Sequence, residues 1–87
     1  MRAEQLLESV KETLKLRGER YGDPYTNFNR IVKRWEKHID GKISVEQHCL
    51  MMIELKMARL EQTPSDTDSI LDIIGYASIL YELITED

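Results

Sequence analysis

The chain has 87 residues, one cysteine and a net charge of −4 at neutral pH. This length predicts one domain, residues 1–87, in which a single hydrophobic core is only marginally sufficient. The lone Cys49 excludes an internal disulfide and a cysteine-based zinc site, and its position among apolar residues at helical spacing predicts an inert core residue. No apolar run approaches the roughly 20 residues that span a bilayer, and the N-terminal acids are unlike a signal peptide. We therefore expect a cytoplasmic protein without membrane contact.

The charges are unevenly distributed along the sequence. Basic residues outnumber acidic ones between Lys15 and Lys37, whereas from Glu46 onward only Lys56 and Arg59 oppose nine acids. Such a distribution suits either attraction between subunits or an anionic ligand at the basic side. Because the chain as a whole is acidic, nucleic acid is not the expected partner.

The spacing of apolar residues is helical almost throughout and predicts an all-α, four-helix bundle-like domain. The first helix is predicted over residues 3–17, with Gly18 as its stop. Its apolar face, which we expect to be buried, holds Leu6, Leu7, Val10 and Leu14. After a turn at residues 22–24, Thr26 is the expected cap of a second helix that reaches Asp40. The apolar face of that helix holds Phe28, Ile31, Val32, Trp35 and Ile39.

Ser44 and Gln47 form a capping-box pattern at the start of a third helix, which is predicted to end near Glu61. The next segment, QTPSDT, is a short loop in which Ser65 begins a similar pattern with Asp68. A fourth helix is therefore predicted to follow this loop, over residues 66–83.

The fourth helix is apolar around most of its circumference. Its polar residues form only a narrow strip: Asp68, Asp72, Gly75, Ser78 and Glu82. A helix of this kind must be enclosed on most sides, and three short companions can scarcely enclose it. We therefore expect this last helix to form the interface of a homo-oligomer, most simply a two-fold dimer.

Lys56 stands in the middle of the apolar face of the third helix, with Arg59 at the rim of that face. A buried ammonium group is costly unless an anion meets it. Asp68 and Asp72 share a face of the next helix and offer such a partner. These four residues form either a structural lock, or a site in which the carboxylates bind a divalent ion and the cations contact phosphate.

The segment GERYGDPYTNFN is the second candidate site. Arg20, Tyr21, Asp23, Tyr25 and Asn27 crowd around a Gly-Asp-Pro turn immediately before a helix N-terminus. An arginine, free backbone donors and aromatic rings can hold a phosphate and stack on a base. The alternative is a packed interhelical turn in which the two tyrosines plug the end of the bundle.

A row of basic residues lies on one face of the second helix: Arg30, Lys33, Arg34 and Lys37. We interpret this row as the solvated side of an amphipathic helix, with contact to a nucleic-acid backbone or an acidic partner as the alternative. His38 and His48 lack acidic neighbours at ligand spacing and are expected at or near the surface. The sequence contains no nucleophile elbow, Gly-rich phosphate loop or HExxH motif, which excludes those enzyme classes.

The string RYGDPYTNFNRIVKRW, followed by LKMARL and DSILDIIGYA, resembles small all-helical proteins encoded by phages and prophages. The resemblance covers about residues 17–80. These proteins are distantly similar to MazG-like all-α nucleotide pyrophosphohydrolases, which hold Mg²⁺ between helices and cleave nucleoside triphosphates to the monophosphate and pyrophosphate. The resemblance implies a nucleotide-related role, an obligate dimer or higher oligomer, and a location in the cytoplasm of a bacterial host.

The acidic metal motif of MazG-like enzymes is incomplete in this chain. Those enzymes carry an EExxE-type cluster on one helix and an ExxD pair on the next. The corresponding helix reads MIELKMARLE, in which Glu54 lies on the polar side and Lys56 takes the inward position. Asp72 matches the aspartate of ExxD, but Ser69 stands at the glutamate position, where Asp68 would have to substitute. The resemblance thus implies Asp68 and Asp72 as the ligands of a Mg²⁺ ion and assigns no catalytic residue.

Two functional hypotheses follow from these observations. In the first, the protein binds a nucleotide or another phosphorylated small ligand in a polar pocket, as a diverged pyrophosphohydrolase if it turns its ligand over. The residues expected to contact that ligand are Arg20, Tyr21, Asp23, Tyr25, Asn27, Lys56 and Arg59. In the second, it is a non-catalytic oligomeric interaction protein that binds an acidic host or phage partner.

Overall fold

The computed structural model describes residues 2–85. Within this range the chain forms four α-helices and no strand: α1 (Arg2–Tyr21), α2 (Pro24–Trp35), α3 (Val45–Gln62) and α4 (Thr67–Thr85). One turn of 3-10 helix, Glu36–His38, follows α2. The predicted all-α, four-helix fold is confirmed. None of the helices in residues 2–85 combines the length and the apolarity that crossing a membrane requires.

The antiparallel helices α3 and α4 form a hairpin, and the two other helices lie against it. α1 packs on α4, α2 packs on α3, and α1 also touches α2. The centre of the core is a cluster of four buried residues: Phe28, Val45, Cys49 and Ile79. Cys49 is fully buried, as predicted for an inert core residue. Burial, with the nearby Glu46 carboxylate, raises the pKa of its thiol to about 11.

α1 is longer than predicted, because it continues through Gly18. A glycine inside a helix costs only about 1 kcal/mol relative to alanine, so it need not end the helix. The stop is Gly22, whose φ of +81° is left-handed and whose N–H donates to the carbonyl oxygen of Gly18 at 2.9 Å. This bond closes the last turn of α1 in the usual glycine-terminated way.

α2 begins and ends earlier than predicted. Its cap is Asp23, not Thr26, because the Asp23 carboxylate accepts bonds from the N–H and the hydroxyl of Thr26, both at 3.1 Å. Pro24 occupies the first helical position, where a missing N–H is harmless. At the other end the chain turns back, and the Glu36 carboxylate accepts a bond from the N–H of Ile43 at 2.7 Å.

The capping box of Ser44 and Gln47 at the start of α3 is confirmed, and both of its reciprocal hydrogen bonds are present. The cap of α4 is different from the prediction. Asp66, rather than Ser65, is the cap, because its carboxylate accepts bonds from the N–H and the hydroxyl of Ser69, at 3.3 and 2.7 Å. These two bonds lower the pKa of the Asp66 carboxyl group.

Two residues of the predicted buried faces are exposed. Leu7 is 56% exposed and Ile39 is 51% exposed. Ile39 lies beyond the end of α2 and therefore leaves the face that Phe28 and Val32 bury. On α1, Val10 alone is fully buried, because one line of contact with α4 covers only a narrow part of the helix.

We expect Ser44→Ala to lower the free energy of unfolding by about 1 kcal/mol, because the N–H groups at the start of α3 lose their cap. Urea unfolding followed by circular dichroism measures this difference. Ser9→Ala, at an exposed position inside α1, is the matched control and should leave stability unchanged or slightly higher. Equal losses in the two variants would contradict the assignment of the cap.

Candidate functional site

Lys56 meets the counter-charge that the sequence predicts. Its Nζ lies 2.9 Å from Oδ2 of Asp72, and the two side chains are only 11% and 16% exposed. The prediction of an ion pair between α3 and α4 is confirmed. A largely buried pair of this kind is weak evidence of net stability, but it fixes how one helix is placed against the other.

A second cation reaches the same carboxylate, and it comes from α1. Nη2 of Arg17 lies 3.4 Å from Oδ1 of Asp72. Sequence analysis placed Arg59 there, but three residues along a helix rotate a side chain about 60° away from Lys56, and Arg59 is exposed. Asp68 is exposed as well. One carboxylate, that of Asp72, thus joins α1, α3 and α4.

A cavity of about 440 Å³ lies beside this cluster, between α1, α2, α3 and α4. The residues that line it are mostly apolar, with a few polar groups among them: Leu14, Arg17, Gly18, Tyr21, Gly22, Pro24, Asn27, Phe28, Ile31, His48, Tyr76, Ser78, Ile79 and Glu82. The Gly-Asp-Pro segment, which sequence analysis singled out as the second candidate site, therefore forms one wall of a real cavity.

The predicted ligand residues of this segment differ in their placement. Tyr21 and Asn27 line the cavity, and the Arg20 guanidinium lies 5.4 Å from the centre of the Tyr21 ring. Tyr25 is 54% exposed and is not part of the wall. The Asp23 carboxylate is occupied as the cap of α2. The turn thus contributes Gly22 and Pro24 to the wall together with Tyr21 and Asn27, whereas the side chains of Asp23 and Tyr25 do not take part.

The cationic residues at the cavity also differ from the prediction. Neither Lys56 nor Arg59 lines the cavity, whereas Arg17 does. Sequence analysis missed this role of Arg17, although a signal was present. Arg17 follows Val10 and Leu14 at helical spacing and therefore lies on the inward side of α1.

His48 is buried, and its predicted place at or near the surface is wrong. It is 2% exposed, and its ring centre lies 4.4 Å from that of Phe28, 5.1 Å from that of Trp35 and 6.2 Å from that of Tyr76. Rings from α2 and α4 cover it. Spacing within α3 places His48 only at the boundary of the apolar face, and it does not show which side chains of other helices will cover such a position.

The imidazole of His48 has unused hydrogen-bonding capacity at the cavity wall. Its Nδ1 is buried and finds no hydrogen-bond partner among residues 2–85. Burial lowers the pKa of His48, so the ring is neutral at pH 7. A neutral imidazole offers one donor and one acceptor, and a buried polar group without a partner costs about 1–3 kcal/mol.

The residues around Asp72 do not fit a magnesium ion. In the part of the chain that the structure describes, no three side chains of histidine, cysteine, aspartate or glutamate are grouped as a metal site would require. Asp72 already meets the ammonium of Lys56 and the guanidinium of Arg17. Two cations on one carboxylate oppose a third positive charge there.

Comparison with known proteins identifies the family. The sequence profile of a family described as a domain of unknown function, DUF6378, matches residues 5–84. The chain belongs to the DUF6378 family. No solved structure matches this DUF6378 chain.

Two phage proteins are similar to the DUF6378 chain, and both are called gene 55 protein. The one from Mycobacterium phage L5 is 35% identical over 68 residues, which cover 77% of this chain and 44% of that protein. The one from Mycobacterium phage D29 is 31% identical over 87 residues, which cover 97% of this chain and 56% of that protein. The chain therefore spans about half the length of these relatives. These matches confirm the resemblance to phage-encoded proteins, and the similarity to MazG-like enzymes stays a prediction.

Loss of Asp72 should destabilise the fold more than loss of Lys56. Asp72→Ala leaves the buried Lys56 ammonium without a partner, which we expect to cost about 3 kcal/mol. Lys56→Met leaves Asp72 with Arg17 and replaces the ammonium by an apolar chain, so we expect a loss of about 1 kcal/mol or less. Urea unfolding of both variants and of the double variant Lys56→Met/Asp72→Ala gives the coupling energy. Additive losses would show that the pair contributes no coupling.

Stability should depend on pH through His48. The pKa of His48 in the folded chain lies below its ordinary value near 6.5, so below that pH the unfolded chain binds the proton more readily. The contribution of the neutral His48 side chain to the free energy of unfolding is therefore fully present above about pH 6.5. It is lost as the pH falls toward the lowered pKa of His48.

The free energy of unfolding measured from pH 8 to pH 5 reports this effect. We expect His48→Phe to remove the part of the pH dependence that begins near pH 6.5. His38→Gln, at an exposed position, is the matched control and should retain it. Identical profiles for His48→Phe and the unmodified chain would contradict the assignment.

Proposed function

We propose that this DUF6378 chain binds a nucleotide or another phosphorylated small molecule in the cavity between its helices. A volume of about 440 Å³ lies within the range of small-molecule pockets, which are mostly apolar with a few oriented polar groups. The wall has this composition. Phe28, Tyr76 and Tyr21 supply aromatic surface, and Asn27 and His48 supply polar groups.

The observation that carries the proposal is His48 at the cavity wall. A buried imidazole whose Nδ1 has no partner in residues 2–85 is a cost to the empty fold. A heteroaromatic base offers both a flat face for the neighbouring rings and ring-edge donors and acceptors for an imidazole. Nδ1 is shielded from solvent, so a ligand in the cavity gains this hydrogen bond only by displacing the rings that cover the imidazole.

Arg17 lines the cavity and is the group best placed for the phosphate end of the ligand. Arg20 is the second candidate, because its guanidinium lies 5.4 Å from the centre of the Tyr21 ring and Tyr21 lines the cavity. The Arg17 side chain is 42% exposed and gives one nitrogen to Asp72, which leaves most of its five N–H donors free. The N–H of Thr26 at the start of α2 is already bonded to Asp23, so this backbone donor is not free for phosphate. We therefore assign the phosphate contact to these arginines rather than to Lys56 and Arg59.

Hydrolysis of the ligand has less support than binding. The donor set around Asp72 does not fit the magnesium ion on which MazG-like chemistry depends. The proposed function is therefore ligand binding, with no chemical step assigned to it.

A non-catalytic interaction protein is the second candidate, and one observation favours it. The four basic side chains of the predicted row are exposed and form a positive surface, with three of them on α2 and Lys37 in the 3-10 turn that follows it: Arg30, Lys33, Arg34 and Lys37. An acidic host or phage partner would complement this surface. This candidate predicts that small phosphorylated ligands have no effect on the isolated chain.

Thermal unfolding with a panel of nucleotides, sugar phosphates and inorganic phosphate, each at millimolar concentration, tests the proposal. A ligand present at ten times its Kd stabilises the fold by about 1.4 kcal/mol, which raises the Tm of a domain of this size by about 5–10 °C. If none of the compounds raises the Tm, the proposed function is wrong, and the non-catalytic interaction protein is the remaining candidate.

Gly18→Leu is the variant that locates the ligand. Gly18 lines the cavity, lies inside α1, and has open space where a Cβ would stand. Leucine there should fill the cavity and weaken binding more than ten-fold, while its higher helix propensity adds up to about 1 kcal/mol of stability.

Gly18→Ala is the matched control for this experiment. It gains the same helix propensity but occupies little of the cavity, so it should bind within about three-fold of the unmodified chain. Unchanged binding by a folded Gly18→Leu variant would show that the ligand binds elsewhere.

A further inference from the structure

α4 presents an apolar stripe to solvent. Its members recur at spacings of four and three residues along the helix: Ile70, Ile74, Ala77, Tyr81 and Ile84. Ile70, Tyr81 and Ile84 are 37%, 70% and 65% exposed. This alternation is the pattern of a helix seam that packs against another helix. Within Thr67–Thr85 the charged residues, Asp68, Asp72 and Glu82, all lie off this stripe.

α4 is apolar on its outer side as well as on the inner side that buries Ile79, unlike an ordinary surface helix. Its polar strip is turned toward the other helices, since Asp72 meets Lys56, Gly75 is buried, and Ser78 and Glu82 line the cavity. A surface helix normally buries its apolar stripe and exposes its polar side. The outer apolar stripe of α4 therefore lies outside the core that α4 shares with the other helices of residues 2–85.

The molecule is also thin in one direction. It measures 43 × 32 × 22 Å, with a radius of gyration of 13.8 Å, whereas a compact domain of this length is expected near 12 Å. A thickness of 22 Å is about two layers of helices, since one helix is about 10 Å across. The layer of α1 and α2 covers one side of the α3–α4 hairpin, and the opposite side is left open.

We propose that a second copy of this chain covers the stripe, with α4 packed antiparallel against its own copy across a two-fold axis at Ala77. The stripe is nearly symmetric about that residue. Ile70 would meet Ile84 of the second copy, Ile74 would meet Tyr81, and the two Ala77 residues would lie on the axis. Large residues flank a small one, which lets the helix backbones approach closely and makes the stripe self-complementary.

The available area suits a dimer. α3 and α4 have 18 and 19 residues, so the hairpin is about 27 Å long and about 20 Å wide. Its open side projects roughly 550 Å², and the accessible surface of a ridged face is larger than its projection. A standard interface takes about 800 Å² from each partner.

The charges favour α4 over α3 as the centre of that interface. The outer side of α3 is also partly apolar, with Leu50, Met51 and Met57 exposed. Glu54 and Glu61 lie between those residues on the same face of the helix. At a two-fold axis they would oppose like charges, which is unfavourable, whereas the α4 stripe carries no charge within Thr67–Thr85.

Sedimentation velocity from about 1 to 100 µM tests the proposal. We expect the unmodified chain to sediment as a dimer and its Tm to rise with protein concentration. Tyr81→Glu should weaken the dimer at least ten-fold, because it places two charges in an apolar interface. Leu16→Glu, at an α1 position that is 60% exposed, is the matched control and should leave the dimer intact.

Ala77→Cys tests the position of the axis without a large change in volume. The two new thiols should form a disulfide between the copies under mild oxidation, because the same residue meets itself only near a two-fold axis. Ser9→Cys, on the exposed side of α1, should not.

Three results would overturn the proposal. They are a monomer at 100 µM with a Tm that is independent of concentration, a dimer that Tyr81→Glu leaves intact, and a dimer in which Ala77→Cys does not cross-link. If Tyr81→Glu unfolds the chain, the concentration dependence of the Tm and the Ala77→Cys cross-link still test whether α4 forms the dimer interface. None of these readouts depends on a ligand, so the nucleotide proposal can fail while this one holds.

Discussion

The ion pair of Lys56 and Asp72 is the interaction on which the arrangement of the helices depends. An ammonium group that is almost removed from water needs a counter-charge, and only one rotation of α4 brings Asp72 to it. The same rotation lets Arg17 of α1 reach the other oxygen of that carboxylate, at 3.4 Å. Three helices are therefore fixed relative to one another at one aspartate, and the polar side of α4 is turned inward as a consequence.

The ion-pair cluster at Asp72 and the cavity lie at different positions along α4. Asp72 is held by two cations and is the lock, whereas the cavity begins one turn further along α4, at Tyr76. Arg17 belongs to both, because it contacts Asp72 and also lines the cavity. The lock holds the wall of the cavity in place rather than forming its floor, so a change at Asp72 reaches a ligand through the position of Arg17.

Sequence analysis succeeded where a local rule or a helical period decides the outcome. The Lys56 pair, the capping box at Ser44 and the burial of Cys49 are of this kind, since each depends on spacing within one helix or between adjacent helices. His48 could not be assigned in this way, because Phe28 and Tyr76 cover it from other helices. The stop of α1 was misplaced for a related reason: Gly18 and Gly22 are equivalent as residue types, and only the backbone shows which one adopts a positive φ.

The orientation of α4 also connects the two proposals. Replacing an exposed apolar residue by a polar one normally changes the stability of a monomer by no more than about 0.5 kcal/mol, so a monomer would gain solubility at little cost by losing the stripe. Packing against a second copy would explain why the stripe is apolar. The second copy would hold α4 on its outer side, while the ion pair of Lys56 and Asp72 holds it on its inner side. The cavity wall formed by Tyr76, Ser78 and Ile79 would then be fixed on both sides, and a rigid wall lowers the ordering cost of binding a ligand.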